Sequence, residues 1–168
     1  MRTVLLAALL GALISAIPAS AQTSTTIVPG QSVGGIRVGA NVSDALRELG
    51  SLVDRTDSRD GKYTVYEWPL RPHIIVAERP SGRIVMVRVE LSDLYKTDKG
   101  ITAGNQRSAV EGAYGRGYTM EEDAVAIVLI YDSLGITFDI GKVFSMTGRV
   151  VGIAVYVPGS WKQINGSL

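Results

Sequence analysis

Residues 35–50 read GIRVGANVSDALRELG and residues 100–115 read GITAGNQRSAVEGAYG. Gly35, Ile36, Gly39 and Gly50 of the first stretch fall on Gly100, Ile101, Gly104 and Gly115 of the second at one constant offset. Further along, Gly82-Arg83-Ile84-Val85 matches Gly148-Arg149-Val150-Val151 in the same order, with one residue of slippage. Two ordered matches of this kind point to internal duplication.

Each matched stretch has a helix signature. Asn41 is a candidate N-cap, because its side-chain oxygen can accept from an otherwise orphaned amide, and Asp44 suits the positive end of a helix. Val42, Ala45, Leu46 and Leu49 recur at the spacing of one buried helical face, and Gly50 supplies the stop. The second helix keeps Val110, Ala113 and Tyr114 on the matching face but holds Gly112 inside, which costs about 1 kcal/mol relative to alanine.

Strand signals follow each helix. Residues 63–68 and 73–78 are rich in β-branched and aromatic side chains and are bounded by the turn residues Asp60-Gly61 and Pro80-Ser81-Gly82. In 84–91, Val85, Val87, Val89 and Leu91 alternate with Ile84, Met86, Arg88 and Glu90, which predicts one buried face. Residues 124–131, 135–140 and 150–157 supply a second set, with Val151, Ile153, Val155 and Val157 in the buried phase. The expected class is therefore α+β: two tandem repeats, each a helix followed by an antiparallel three-stranded meander, with the helices packed on one sheet face. The first repeat is read as residues 32–95 and the second as 96–159. A polar lead-in (22–31) precedes them and a tail (160–168) follows.

Residues 1–21 have the form of a cleavable secretory signal: Arg2, then an apolar run over 4–17, then Ala19-Ser20-Ala21 at the cut. The run is shorter than the roughly 20 residues a membrane span needs. Extracytoplasmic location, periplasmic or secreted, is expected, with no membrane insertion after cleavage. The chain has no cysteine, so neither a disulfide framework nor a lipid-bearing cysteine is available. Arg2 is the one charge in the signal, and the remainder balances sixteen basic against sixteen acidic side chains. Such balance argues against nucleic acid or an anionic membrane surface as partner.

The order of an Ile, a Gly, a cap residue, an apolar helix position and a closing Gly occurs at Ile36, Gly39, Asn41, Ala45 and Gly50, and again at Ile101, Gly104, Gln106, Val110 and Gly115. It resembles the tandem repeat of the β-lactamase inhibitor protein family and the single copy in the small lipoprotein of the outer-membrane β-barrel assembly machine. The resemblance implies two sheets joined side by side and a concave, often aromatic, protein-binding face. It does not carry over a target. The chain departs from both relatives in having no cysteine, since the inhibitor's repeats hold disulfides and the lipoprotein an acylated cysteine.

Catalytic and metal-binding signatures are not found in the sequence. His73 is the sole histidine and, without cysteine, cannot complete a structural or His-rich zinc site. No Gly-x-Ser-x-Gly elbow surrounds any serine. Gly34-Gly35-Ile36-Arg37-Val38-Gly39 lacks the Lys-Ser/Thr of a phosphate loop, and Gly115-Arg116-Gly117 is too short; both read as chain reversals. Glu121-Glu122-Asp123 reads as a solvated turn, because three adjacent carboxylates cannot all point at one cation. No cofactor is expected.

The functional expectation is a non-enzymatic exported binding module. Its partner would be another envelope or secreted protein, held on the open sheet face by Tyr66, Trp68, Arg88, Tyr131 and Tyr156, because aromatic and arginine side chains make good anchors. Core packing of Trp68 and Tyr131, and docking of Trp161 by its own tail, are the competing roles for these aromatics. The alternative is a small-ligand carrier or hydrolytic enzyme with a site between the repeats, using His73 with Asp132 or Glu67. A structural appendage of a larger envelope assembly is a third reading.

Overall fold

The structure, a computed structural model, describes residues 24–168, and the expected signal peptide lies outside them. The chain first forms β1 (Thr26–Val28), β2 (Ser32–Val33) and β3 (Ile36–Arg37). After α1 (Val42–Leu49) come β4 (Asp54–Asp57), β5 (Tyr63–Glu67), β6 (His73–Glu78) and β7 (Ile84–Glu90). β8 (Lys96–Thr97) leads into α2 (Arg107–Tyr114). It is followed by β9 (Thr119–Glu122), β10 (Ala126–Tyr131), β11 (Ile136–Gly141), β12 (Val150–Tyr156) and α3 (Trp161–Asn165).

This overturns the α+β class read from the sequence. The chain is mostly β: one eight-stranded antiparallel sheet in the order β4-β5-β6-β7-β12-β11-β10-β9, and a four-stranded sheet, β3-β2-β1-β8. Each large meander has four strands, not three, and the two merge through β7 and β12 into a single sheet. β4 and β9 escape hydropathy patterning because every residue in them is exposed, and they are held by backbone pairing to β5 and β10 with polar side-chain ties through Asp57, Glu121 and Glu122. The small sheet draws β1 from the polar lead-in, where Ile27 is fully buried, and adds β8 parallel to it.

The matched sequence stretches do share local settings. The amides of Gly39 and Gly104, both with positive φ, donate to Ile84 and Val150, and those of Val42 and Arg107 donate to Gly82 and Gly148. These likenesses are local. They do not divide the molecule into two helix-plus-meander units, because one hydrophobic cluster runs through both halves.

Register defines the two faces of the large sheet. Tyr66, Ile75, Val87, Val155, Ile136 and Tyr131 form one cross-strand row on the inner face. This row shares a cluster with Val42, Ala45 and Leu49 of α1, Val110 of α2, and Ile27, Val33 and Ile36 of the small sheet. Each fully buried Ile or Val there contributes about 1.5–3 kcal/mol. Asn41 caps α1 as its sequence suggests, accepting from the Ser43 amide at 3.0 Å.

The expected buried phase of the third strand fails at its start. Pairing shifts register between Val76 and Ala77, so Val85 is an extra residue, and Ile84, Val87 and Val89 join the inner core. The same happens at Val151, where Val150, Ile153 and Val155 turn inward and Val157 is left exposed. A β-bulge places two residues opposite one and breaks a strict period of two.

Not all helices lie on one face. α3 crosses the outer face, burying Trp161 and Ile164 against Tyr63, Val76, Met86 and Tyr156. The Trp161 ring sits 5.4 Å from that of Tyr156. Trp161 Nε1 and Asn165 Nδ2 donate to Glu121 at one edge, and the Ser167 hydroxyl donates to Asp60 near the other. Glu121 and Glu122 are thus edge-strand residues, not a solvated turn, while Asp123 caps the turn that follows by accepting from the amides of Val125 and Ala126.

Replacing Trp161 by alanine uncovers Tyr156 and removes the tie to Glu121. The expected loss is about 3–5 kcal/mol of unfolding free energy, read from urea titration.

Candidate functional site

Arg88 leaves β7 on the outer face, at the end that α3 does not cover. Its neighbouring strand is β12, where Gly152 pairs with Glu90 on one side and Asp139 of β11 on the other. With no side chain at Gly152, Arg88 reaches across the strand. Its Nη2 lies 2.7 Å from Asp139 Oδ2 and 2.7 Å from Glu90 Oε1. A Cβ on Gly152 would stand 2.5 Å from Asp139 Oδ2 and 3.3 Å from Arg88 Nη2. A glycine inside a strand often marks such a close approach.

Asp139 is only 1% exposed. Its Oδ1, together with Thr137 Oγ1 and Arg88 Nε, is buried without a hydrogen-bond partner among the described residues. The contact to Oδ2 is a close ion pair that lacks hydrogen-bond geometry. Burial pushes the Asp139 carboxyl above its ordinary range; Arg88 pulls it back, and the charges of Glu90 and Asp123 push it up again. One guanidinium therefore faces two carboxylates, and one of these has an oxygen left over.

Above this pair opens a depression of about 320 Å³ walled by Leu91, Val125, Val143, Phe144, Met146 and Val151. Leu91 is 69% and Phe144 93% exposed, which places large apolar side chains at the rim instead of in the core. Among the described residues these two are also the non-glycine residues with positive φ, 46° and 53°, a conformation that costs about 1–3 kcal/mol each. Gly141 lets the following loop fold back, since a Cβ there would meet the Met146 carbonyl at 2.8 Å. A neighbouring depression of about 360 Å³ shares Arg88 and Glu90 and runs over Glu67, Ile74 and Met86 toward Asp57.

The five residues expected to bind together do not share a face. Trp68 and Tyr131 are inner-core residues, and Tyr66 packs against that core. Trp68 Nε1 donates to the Gly50 carbonyl at 2.8 Å and the Tyr131 hydroxyl to the Gly115 carbonyl at 2.6 Å, so both fasten helix C-termini. Tyr156 faces outward but lies beneath Trp161. Arg88 alone lines the open depression. Sequence reading missed Asp139 and Gly152, although a charge within ITFDI and a glycine within VVGIAVY were the available signals.

Of the groups suggested for hydrolysis, Glu67 and His73 line one small depression of about 170 Å³, whereas Asp132 is not part of it. His73 is buried on the inner face, edge-on to Tyr95 at 5.1 Å, with Nδ1 unpartnered among the described residues. Asp132 instead accepts from the Trp161 amide, and Glu67 lies on the outer face, in the row of Ile74 and Arg88. No group of three or more metal-ligating side chains occurs among the described residues, nor does a helix long and apolar enough to cross a membrane.

No family model and no curated protein matches the chain. Among solved structures, a cysteine-rich secretory protein from Staphylococcus aureus subsp. aureus Mu50 is similar, with a TM-score of 0.47 and 14% identity over 83% of this chain. The match spans 50% of that protein's own chain.

Two glycine substitutions should diverge. Gly152→Ala forces the Arg88–Asp139 pair apart and is expected to cost about 3–5 kcal/mol. Gly112→Ala, where a Cβ meets nothing within 4 Å in α2, should stabilise by about 1 kcal/mol; chemical denaturation measures both. Burial and the nearby Arg71 lower His73 from 6.5 to about 4. Below pH 6.5 the unfolded chain takes up a proton that the folded one refuses, so stability present above 6.5 is lost as pH falls toward 4. The loss amounts to at most about 3 kcal/mol. His73→Phe should flatten that window in thermal unfolding at pH 7 and pH 4.5.

Proposed function

We propose that the chain is an extracytoplasmic binding protein that works by protein–protein contact through the uncovered end of the outer sheet face. The carrying observation is the depression over Arg88 and Asp139. Exposed Leu91, Val125, Val143 and Phe144 surround a charged floor in which Asp139 is buried and Arg88 and Glu90 are partly exposed, an arrangement like an interface centre with an apolar ring around its polar groups. Contiguous exposed apolar side chains of this kind mark interaction sites more often than they arise idly. Strain at Leu91 and Phe144 supports the same reading, because such backbone conformations concentrate at functional loops. The resemblance to the inhibitor's repeat also points to protein contact, and the signal-like residues 1–21 point to an envelope or secreted partner.

A photo-crosslinking side chain placed at Phe144 in producing cells should capture a discrete partner. The same group at Arg47, exposed on α1 beyond the other face, should capture none. Equal capture at both positions, or none at Phe144, counts against the proposal.

A small-ligand carrier is the second reading, supported by a volume at the lower end of ligand pockets, roughly 300–1,000 Å³. Native mass spectrometry of the purified chain separates the two, since a carrier retains a small molecule that Phe144→Asp releases.

A further inference from the structure

Resting on that binding role, we infer that the group seated in the depression is a basic side chain, a lysine or arginine of the partner, with its methylene stem against Val125, Val143 and Phe144. Three observations lead to it. The floor has an excess of negative charge: Arg88 Nη2 serves both Asp139 and Glu90. The other nearby cation, Lys142, is engaged by Glu122 at 2.6 Å and by the Asp123 carbonyl at 2.7 Å. Along the neighbouring depression Glu67 has no ion-pair partner among the described residues, and Asp57 holds Arg79 at 3.2 Å.

Asp139 Oδ1 is the second point. It is buried and without a hydrogen-bond partner among the described residues, and Asp139 is part of the lining, so a donor brought by a guest would satisfy it. An ammonium or guanidinium supplies donors and no acceptor. The third point is shape. Long basic side chains lay their apolar stems along apolar walls while the charged end makes polar contacts. Here those walls stand around a negative floor. Arg88 Nε, also unpartnered, remains to donate to a carbonyl of the same guest segment.

The test titrates n-butylguanidinium and n-butylammonium into the ¹⁵N-labelled chain of residues 22–168, with pentanoate and pentan-1-ol as probes of like size. Both cations should move the amides of Leu91, Val125, Gly141 and Gly152 in a saturating way, and the anion and alcohol should not. Glu90→Gln, which alters the half-exposed carboxylate only, should weaken the cations about tenfold, the worth of one charge-assisted contact. Asp139→Asn should abolish the preference, its fold checked by the same spectra. Shifts favouring pentanoate, or equal with pentanol, or absent with every probe, overturn the assignment. Capture at Phe144 would still stand in those cases, so the two proposals fail separately.

Discussion

The pairing of β7 with β12 joins two four-stranded meanders edge to edge, and much else in the molecule is arranged around that seam. Val87 and Val155 face each other across it on the inner side, each fully buried, with α1, α2 and the small sheet closing over the cluster they belong to. On the outer side Arg88 and Ala154 oppose each other, and the row continues to Thr137 and Ile130. Antiparallel register has a period of two, so a slip of one residue would exchange these faces. It would bury a guanidinium among valines and expose the core.

The candidate site is a by-product of the same seam. Arg88 can reach Asp139 only because the strand between them has a bare Cα at Gly152. An ion pair so placed is a weak source of stability, since desolvating both charges offsets most of their attraction. It lies at the base of an apolar depression, where one of its carboxylate oxygens has no partner among the described residues. The C-terminal helix sharpens the contrast: one end of the outer face is sealed by Trp161 and Ile164, and the other is left open with large apolar side chains around it.

Helices and central strands were legible because their apolar spacing is strong: α1, α2, β6 and β12 lie within a residue or two of where periodicity puts them. The class was not legible. Asp54–Asp57 and Thr119–Glu122 contain no apolar alternation, and the two- and three-residue strands of the small sheet are too short to have a period. Bulges at Val85 and Val151 broke the expected phase at the start of each strand, turning Ile84 and Val150 inward in their place, while Val87, Val89, Ile153 and Val155 lie inward as alternation predicts. Aromatic character alone misled the search for a site. Trp68 and Tyr131 owe their place to helix-end carbonyls that need a donor, a demand visible only in three dimensions. The edge strands follow a different logic: Asp54, Arg55 and Asp57 at one edge, and Glu121 and Glu122 at the other, discourage pairing with a second sheet.

The seam also sets the order in which the molecule can be made. Glu90 meets Gly152, and Asp60 meets Ser167, 107 positions further along the sequence. Contacts so distant along the chain form late and slowly, because the loop between them must be closed before any of their energy is gained. Until the last strand and helix exist, the first meander has an unpaired edge at β7 and no cover on its outer side. Closing the seam is thus what both completes the sheet and brings α3 over its outer side.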